Sequence, residues 1–258
     1  MQLLFAMFFL VAATGGAAAR ESAPGESVSV AAAANFVYAL EALNAAFAAR
    51  APDVKVTVAT GASGNLVAQI EQGAPYDIFL SADRQYPQAL VDEGHADARS
   101  LTIFAVGRLV LWTTNPAVEL RSIPETVRSG AVRKLALANI NSAPYGRAAK
   151  QALEKLGEWA GAQSKLVVGE NISQTAQFVA TGNADAGFVA LSLVLSPKLQ
   201  DKGRWMEVAG NLYSPLEHAA VLTMRGATNP AAKRYLEFLR SDVARKIFER
   251  FGYAVPAR

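Results

Sequence analysis

Two short polar turns carry the chemistry of this chain. Ala34-Asn35 and Ala62-Ser63-Gly64-Asn65 each close an apolar, strand-like run and each open a helix-like pattern. A helix N-terminus presents unpaired N–H groups and the positive end of the helix dipole. Two of them delivered to the ends of adjacent strands form a site for an anion held by uncharged donors. Asn35 can add an amide N–H and Ser63 a hydroxyl. Both residue types are also favoured helix caps, and a lone Asn or Ser before a helix satisfies an orphan amide. His95 and His218 lie far apart in sequence, Asp77 and Asp83 flank one strand as a turn bond and a helix cap, and cysteine is absent. No nucleophile paired with a base, no thiolate and no metal cluster is legible, so the chain reads as a binder rather than an enzyme, with no cofactor.

The elements that must position these turns alternate along the chain. A small-residue strand at 27–34 is followed by Phe36, Leu40, Leu43 and Phe47 at helical spacing. Residues 54–59 alternate as a strand, Leu66 and Ile70 mark a short helix stopped by Gly73, and 77–82 is a buried strand leading into a helix that ends at Gly94. This is the pattern of a parallel sheet with covering helices. It restarts at 135–138, with helices at 146–159 and near 173–181 and strands at 165–168 and 186–190. Residues 107–114 and 217–224 are candidate strands crossing between two units, and helices at 230–240 and 242–251 return to the first. The expected fold class is α/β and two-lobed, each lobe a mostly parallel sheet covered by helices, joined by two crossing strands around a cleft. Lobe 1 is expected at 27–108 and 220–258, and lobe 2 at 109–219.

The N-terminus points to export. Residues 3–13 are an unbroken apolar run, and Ala17-Ala18-Ala19 has the small-x-small form of a secretory cleavage site, so 1–19 is expected to be a signal peptide cleaved near Ala19. Such a run is shorter than the roughly 20 residues a membrane span needs, and without cysteine there is no lipid-anchored N-terminus. A periplasmic monomer without a stable membrane anchor fits best. The chain is 52% hydrophobic and 18% charged with a formal charge of +3, and its basic residues are scattered singly, without the clusters of a nucleic-acid surface.

Four segments together carry a family resemblance. They are Ser-Val-Ala-Ala-Ala-Ala-Asn-Phe at 29–36, Thr-Gly-Ala-Ser-Gly-Asn-Leu at 60–66, Gln-Ile-Glu-Gln-Gly-Ala-Pro-Tyr-Asp-Ile-Phe-Leu-Ser-Ala-Asp at 69–83 and Ala-Thr-Gly-Asn-Ala-Asp-Ala-Gly-Phe-Val-Ala-Leu-Ser at 180–192. In this order they resemble the periplasmic molybdate-binding proteins of ATP-driven (ABC-type) uptake systems, within the type II periplasmic binding proteins. The resemblance implies a hinge-closing fold that buries molybdate or tungstate between its lobes and delivers it to an inner-membrane ABC permease. It places ligand positions at Ala34, Asn35 and Ser63 in the first lobe and at Tyr145 and Ile172 in the second. Molybdenum is then held only as its oxyanion, with no direct protein–metal ligand. Many members carry a ligating Tyr where this chain has Ala190, and Ser where it has Asn35; this chain is similar to the subgroup with Asn in the first turn and Tyr145 in the third.

The donor set agrees with such a ligand. A fully deprotonated tetrahedral dianion offers only acceptors, and none of these positions is Asp or Glu, which a protonated phosphate would call for. Sulfate has the same charge and acceptors but shorter bonds, so its rejection rests on cavity size. The alternatives are a binder of another oxyanion such as sulfate, or one that prefers tungstate. Ferric-ion binding ranks low because Tyr145 and Tyr213 are isolated rather than adjacent.

Overall fold

The computed structural model describes residues 26–256; the expected signal peptide lies outside them. The first lobe starts with β1 (Glu26–Ala33), a 3-10 turn (Ala34–Phe36), α1 (Val37–Ala48), β2 (Val54–Gly61), α2 (Ser63–Glu71), β3 (Ile78–Ser81), α3 (Gln85–Asp92) and β4 (Thr102–Gly107). The second holds β5 (Leu109–Thr113), α4 (Ile123–Arg128), β6 (Leu135–Ala138), α5 (Pro144–Lys155), α6 (Trp159–Ala162), β7 (Leu166–Gly169), α7 (Ile172–Ala180), β8 (Ala186–Ala190), α8 (Leu191–Val194) and β9 (Arg204–Glu207). The chain then returns through β10 (Leu216–Leu222) to α9 (Pro230–Leu239) and α10 (Asp242–Arg250). Helix α9 packs on β1 and α10 on α1.

Each lobe is built on one five-stranded sheet, ordered β2-β1-β3-β10-β4 and β7-β6-β8-β5-β9. The two share one design. In each, the strand that has just come across from the other lobe is the antiparallel member: β10 runs against β3 and β4, and β5 against β8 and β9. The other recorded pairings, β1 with β2 and β3, and β6 with β7 and β8, are parallel. The α/β, two-lobed class expected from the sequence is the class observed.

Both faces of the first sheet are covered at its centre, which is why β3 and the end of β1 read as continuous apolar runs, whereas the edge strand β2 alternates. Val30 and Ala32 of β1 face the large core with Ile78 and Leu80 of β3, whereas Ala31 and Phe79 face a smaller core with Leu66, Val67 and Leu90. Alanines on β1 let helices approach closely on either side. The run 107–114, read as one crossing strand, is two strands: β4 ends at Gly107, β5 begins at Leu109, and the outward crossing is Arg108 alone. The return crossing is the irregular segment 208–215, and β10 lies in the first sheet along its whole length. Strand β9 was not anticipated because its Arg204-Trp205-Met206-Glu207 sequence has no alternating pattern; as the edge of its sheet it buries little.

Candidate functional site

Every β-to-α connection that reaches the cleft ends in a helix N-terminus. The 3-10 turn follows β1, α2 follows β2, α5 follows β6 and α7 follows β7. The residues before the first three are Ala33, Ala62 and Ala143, and none supplies a side-chain cap. The first N–H groups of these elements therefore have neither an intrahelical partner nor a cap. In α5 the first position is Pro144, which has no N–H, so Tyr145 carries the first donor. In α7 the cap is Asn171, whose Oδ1 accepts from the N–H groups of Ser173 and Gln174, both at 3.0 Å, and leaves that of Ile172 out of the cap.

These ends converge. One small cavity, with about 10 Å³ open to the centre of a water-sized sphere, is lined by Ala33, Ala34, Asn35, Gly61, Ala62, Ser63, Ala82, Ala143, Pro144, Tyr145 and Ile172. The structure thus brings together Ala34, Asn35, Ser63, Tyr145 and Ile172 from both lobes. No Asp, Glu, Lys, Arg or His is among the lining residues. The cavity is far too small for organic ligands of drug size, which occupy clefts of roughly 300–1,000 Å³. A wider groove at the cleft mouth, about 420 Å³ counted the same way, is lined by charged and amide side chains including Asp83, Arg147, Gln151 and Glu217.

Ser63 is fully buried, and its Oγ accepts from the N–H of Ala82 at 3.2 Å, so its own proton is available to a further acceptor. Asn35 behaves differently from the sequence-based expectation of an amide N–H turned to the ligand. Its Nδ2 lies 2.9 Å from Nε2 of His218 and 2.9 Å from Oη of Tyr253. The hydrogen-bond network fixes this orientation: Nδ1 of His218 is 2.7 Å from the Leu216 carbonyl and must donate to it, which leaves Nε2 as an acceptor. Tyr253 in turn donates to the carbonyl of Asn35 at 3.1 Å. Both amide protons are spent inward, and what Asn35 can give the cavity as a donor is its backbone N–H. Its Oδ1 has no hydrogen-bond partner.

The hydroxyl of Tyr145 is also buried without a partner, and burial raises its pKa well above the ordinary value. It sits by the outward crossing: a Cβ on Gly107 would lie 2.2 Å from Oη of Tyr145 and 2.3 Å from Cε1 of His218, so glycine is required there. His218 is fully buried between these groups, and burial lowers its pKa to about 3, keeping the ring neutral. Ser192, on α8 of the second lobe, donates to the Asn35 carbonyl at 3.0 Å and ties the first turn across the cleft.

Sequence reasoning missed His218, Tyr253 and Ser192, because their partner lies 183, 218 and 157 residues away. Asp83 caps α3 as expected, accepting from the Tyr86 N–H at 3.2 Å, and it also pairs with Arg147 across the cleft. Asp77 accepts from the Ser29 N–H at 2.8 Å and pairs with Arg225. Among the described residues no group of three or more His, Asp or Glu is placed to hold a metal ion, and no helix is long and apolar enough to cross a membrane.

Residues 28–254 match the family described as bacterial extracellular solute-binding protein. The chain is 38% identical over 251 residues to the molybdate-binding protein ModA of Azotobacter vinelandii, covering 97% of this chain and 99% of that one. It is 42% identical over 237 residues to ModA of Rhodobacter capsulatus, covering 90% and 89%. The solved structure of the Azotobacter vinelandii periplasmic molybdate-binding protein superposes with a TM-score of 0.84 at 32% identity, over 89% of this chain and all of that one.

Proposed function

Because the chain belongs to the bacterial extracellular solute-binding proteins, we propose that it captures molybdate, and tungstate with it, in the cleft cavity and hands the ion to an ABC permease. The observation that carries this reading is the convergence of uncapped helix N-termini on one small cavity without a charged side chain. A dianion that offers only acceptors meets donors: the backbone N–H groups of Ala34, Asn35, Ser63, Tyr145 and Ile172, and the Ser63 hydroxyl. Each charge-assisted bond contributes about 1.5–3 kcal/mol net, and several together offset dehydration of the ion. Neutral donors also strand no buried cation when the lobes part.

The names of the relatives support molybdate, and the two-lobed fold supports a hinge. Closure about Arg108 and 208–215 assembles donors from both lobes, so the ion stabilises the closed state in proportion to what the open state cannot offer it. The family and the apolar N-terminal run support export to the periplasm, where a monomer suffices for capture and delivery. The function is carriage, not catalysis.

Calorimetric titration of residues 20–258 with molybdate, tungstate, sulfate and phosphate tests the reading. One-to-one binding confined to molybdate and tungstate is the expected result. Sulfate binding of equal strength would make the protein a general oxyanion carrier, and no binding by any of the four would leave the cavity without its proposed ligand.

A further inference from the structure

On the reading that an oxyanion occupies the cavity, we propose that Arg147 is the closure latch that sets how long the anion stays bound, without touching it. Arg147 lies two residues beyond Tyr145 on α5 but does not line the cavity. Its guanidinium reaches the first lobe instead. There Nη2 pairs with Oδ2 of Asp83, Nη1 donates to Oη of Tyr86 at 3.1 Å, and the group stacks over the Tyr86 ring at 5.1 Å from its centroid. The Tyr86 hydroxyl donates back across the cleft to the carbonyl of Asn141 at 3.2 Å. Beside it the Gly64 N–H bonds the carbonyl of Ser142 at 2.9 Å.

These contacts join the lobes at the edge of the cleft mouth: Arg147 stands on α5, whose N-terminus lines the cavity, and its partners Asp83 and Tyr86 stand at the start of α3. The Asp83 side chain is 9% exposed and that of Arg147 31%. Burial pushes the Asp83 carboxyl pKa up, against the opposing pull of the Tyr86 N–H and of Arg147. Opening the cleft must break the fork, the stacking and the Tyr86 bond together. The approach is also sterically specified: a Cβ on Gly64 would lie 2.6 Å from Oη of Tyr86 and 3.2 Å from Cα of Ser142. A cation that merely drew anions in would act on association. One partner of a desolvated, hydrogen-bonded ion pair acts on dissociation.

The test is chase kinetics: the protein loaded with ⁹⁹Mo-labelled molybdate is mixed with excess unlabelled molybdate, and release is followed for wild type, Arg147→Met, Arg147→Lys and Asp83→Asn. Arg147→Lys keeps the charge and loses the planar fork, and Asp83→Asn reaches the same pair from the other lobe. The expected result is release about tenfold faster or more in all three, with association within about twofold of wild type, ligand-free melting temperatures unchanged, and the Arg147→Met/Asp83→Asn double variant no faster than either single one. Unchanged release, or an affinity loss carried by association alone and restored by Arg147→Lys, overturns the latch. Wild type that fails to hold molybdate overturns the oxyanion reading beneath it, and is recognised before any variant is compared.

Discussion

Helices that open on the cleft begin differently from helices that open on solvent. On the solvent side α4, α9 and α10 start after Ser122, Asn229 and Ser241, each of which accepts from one or two N–H groups of the first turn. On the cleft side the corresponding residues are Ala33, Ala62 and Ala143, which accept from none. An alanine in place of a cap costs about 1 kcal/mol of helix stability, so three alanines around one cavity leave those ends short of partners that the rest of the fold supplies. Helix α7 combines both habits, with Asn171 capping two amides and leaving out Ile172. The missing cap alone is no signal, since the four-residue α6 also lacks one; convergence on a single cavity is.

The contrast breaks most severely if a cleft helix is given the cap it lacks. Ala62→Asp places a carboxylate at the start of α2, where it satisfies the helix and opposes the ion. Two unit charges about 4 Å apart repel by about 4 kcal/mol at an effective dielectric constant near 20, so molybdate affinity should fall about a thousandfold or more while circular dichroism shows a folded chain. Undiminished affinity in this variant would remove α2 from the site. A paired substitution sharpens the same contrast. Ser63→Ala should weaken molybdate binding by about ten- to a hundredfold, the worth of one hydrogen bond to a charged group. Ser122→Ala should cost about 1 kcal/mol in urea unfolding and leave affinity unchanged. If the two serines gave the same pair of readouts, Ser63 would be one more cap.

Much of this site is local in sequence, and that part was legible. The turns at 34–35 and 62–65 stand where an apolar strand gives way to helical spacing, and the structure sets both on one cavity. The starts of α5 and α7 were placed through the family resemblance, because by themselves Tyr145 reads as core or surface packing and Ile172 as core filler. What escaped was of two kinds. An alanine cap is silent, since nothing in Ala33, Ala62 or Ala143 announces that a donor has been left unpaired. And the residues that orient Asn35 or bridge the lobes meet only after folding, as Arg147 meets Asp83 over 64 positions of sequence. The break at Arg108 was hidden for a related reason: the apolar runs on either side of it join into one stretch, and only their membership of different sheets divides them.

The inward half of the first turn gives an effect about as small as one lost cap, and one that no solvent-side cap shares. His218 is neutral and buried with a pKa of about 3, against an ordinary 6.5 once the chain unfolds. Between those values the unfolded chain binds a proton that the folded one refuses. The His218 contribution to stability is therefore fully present above pH 6.5 and is lost as the pH falls toward 3. From pH 6 to pH 5 the loss should be about 1.2 kcal/mol, just under the limiting 1.36 kcal/mol per pH unit for one proton. Urea unfolding at the two pH values should show that difference in wild type and its absence in His218→Gln. An equal slope in both proteins would mean that the ring is solvated in the fold, and Asn35 would then be free to turn its amide toward the ion.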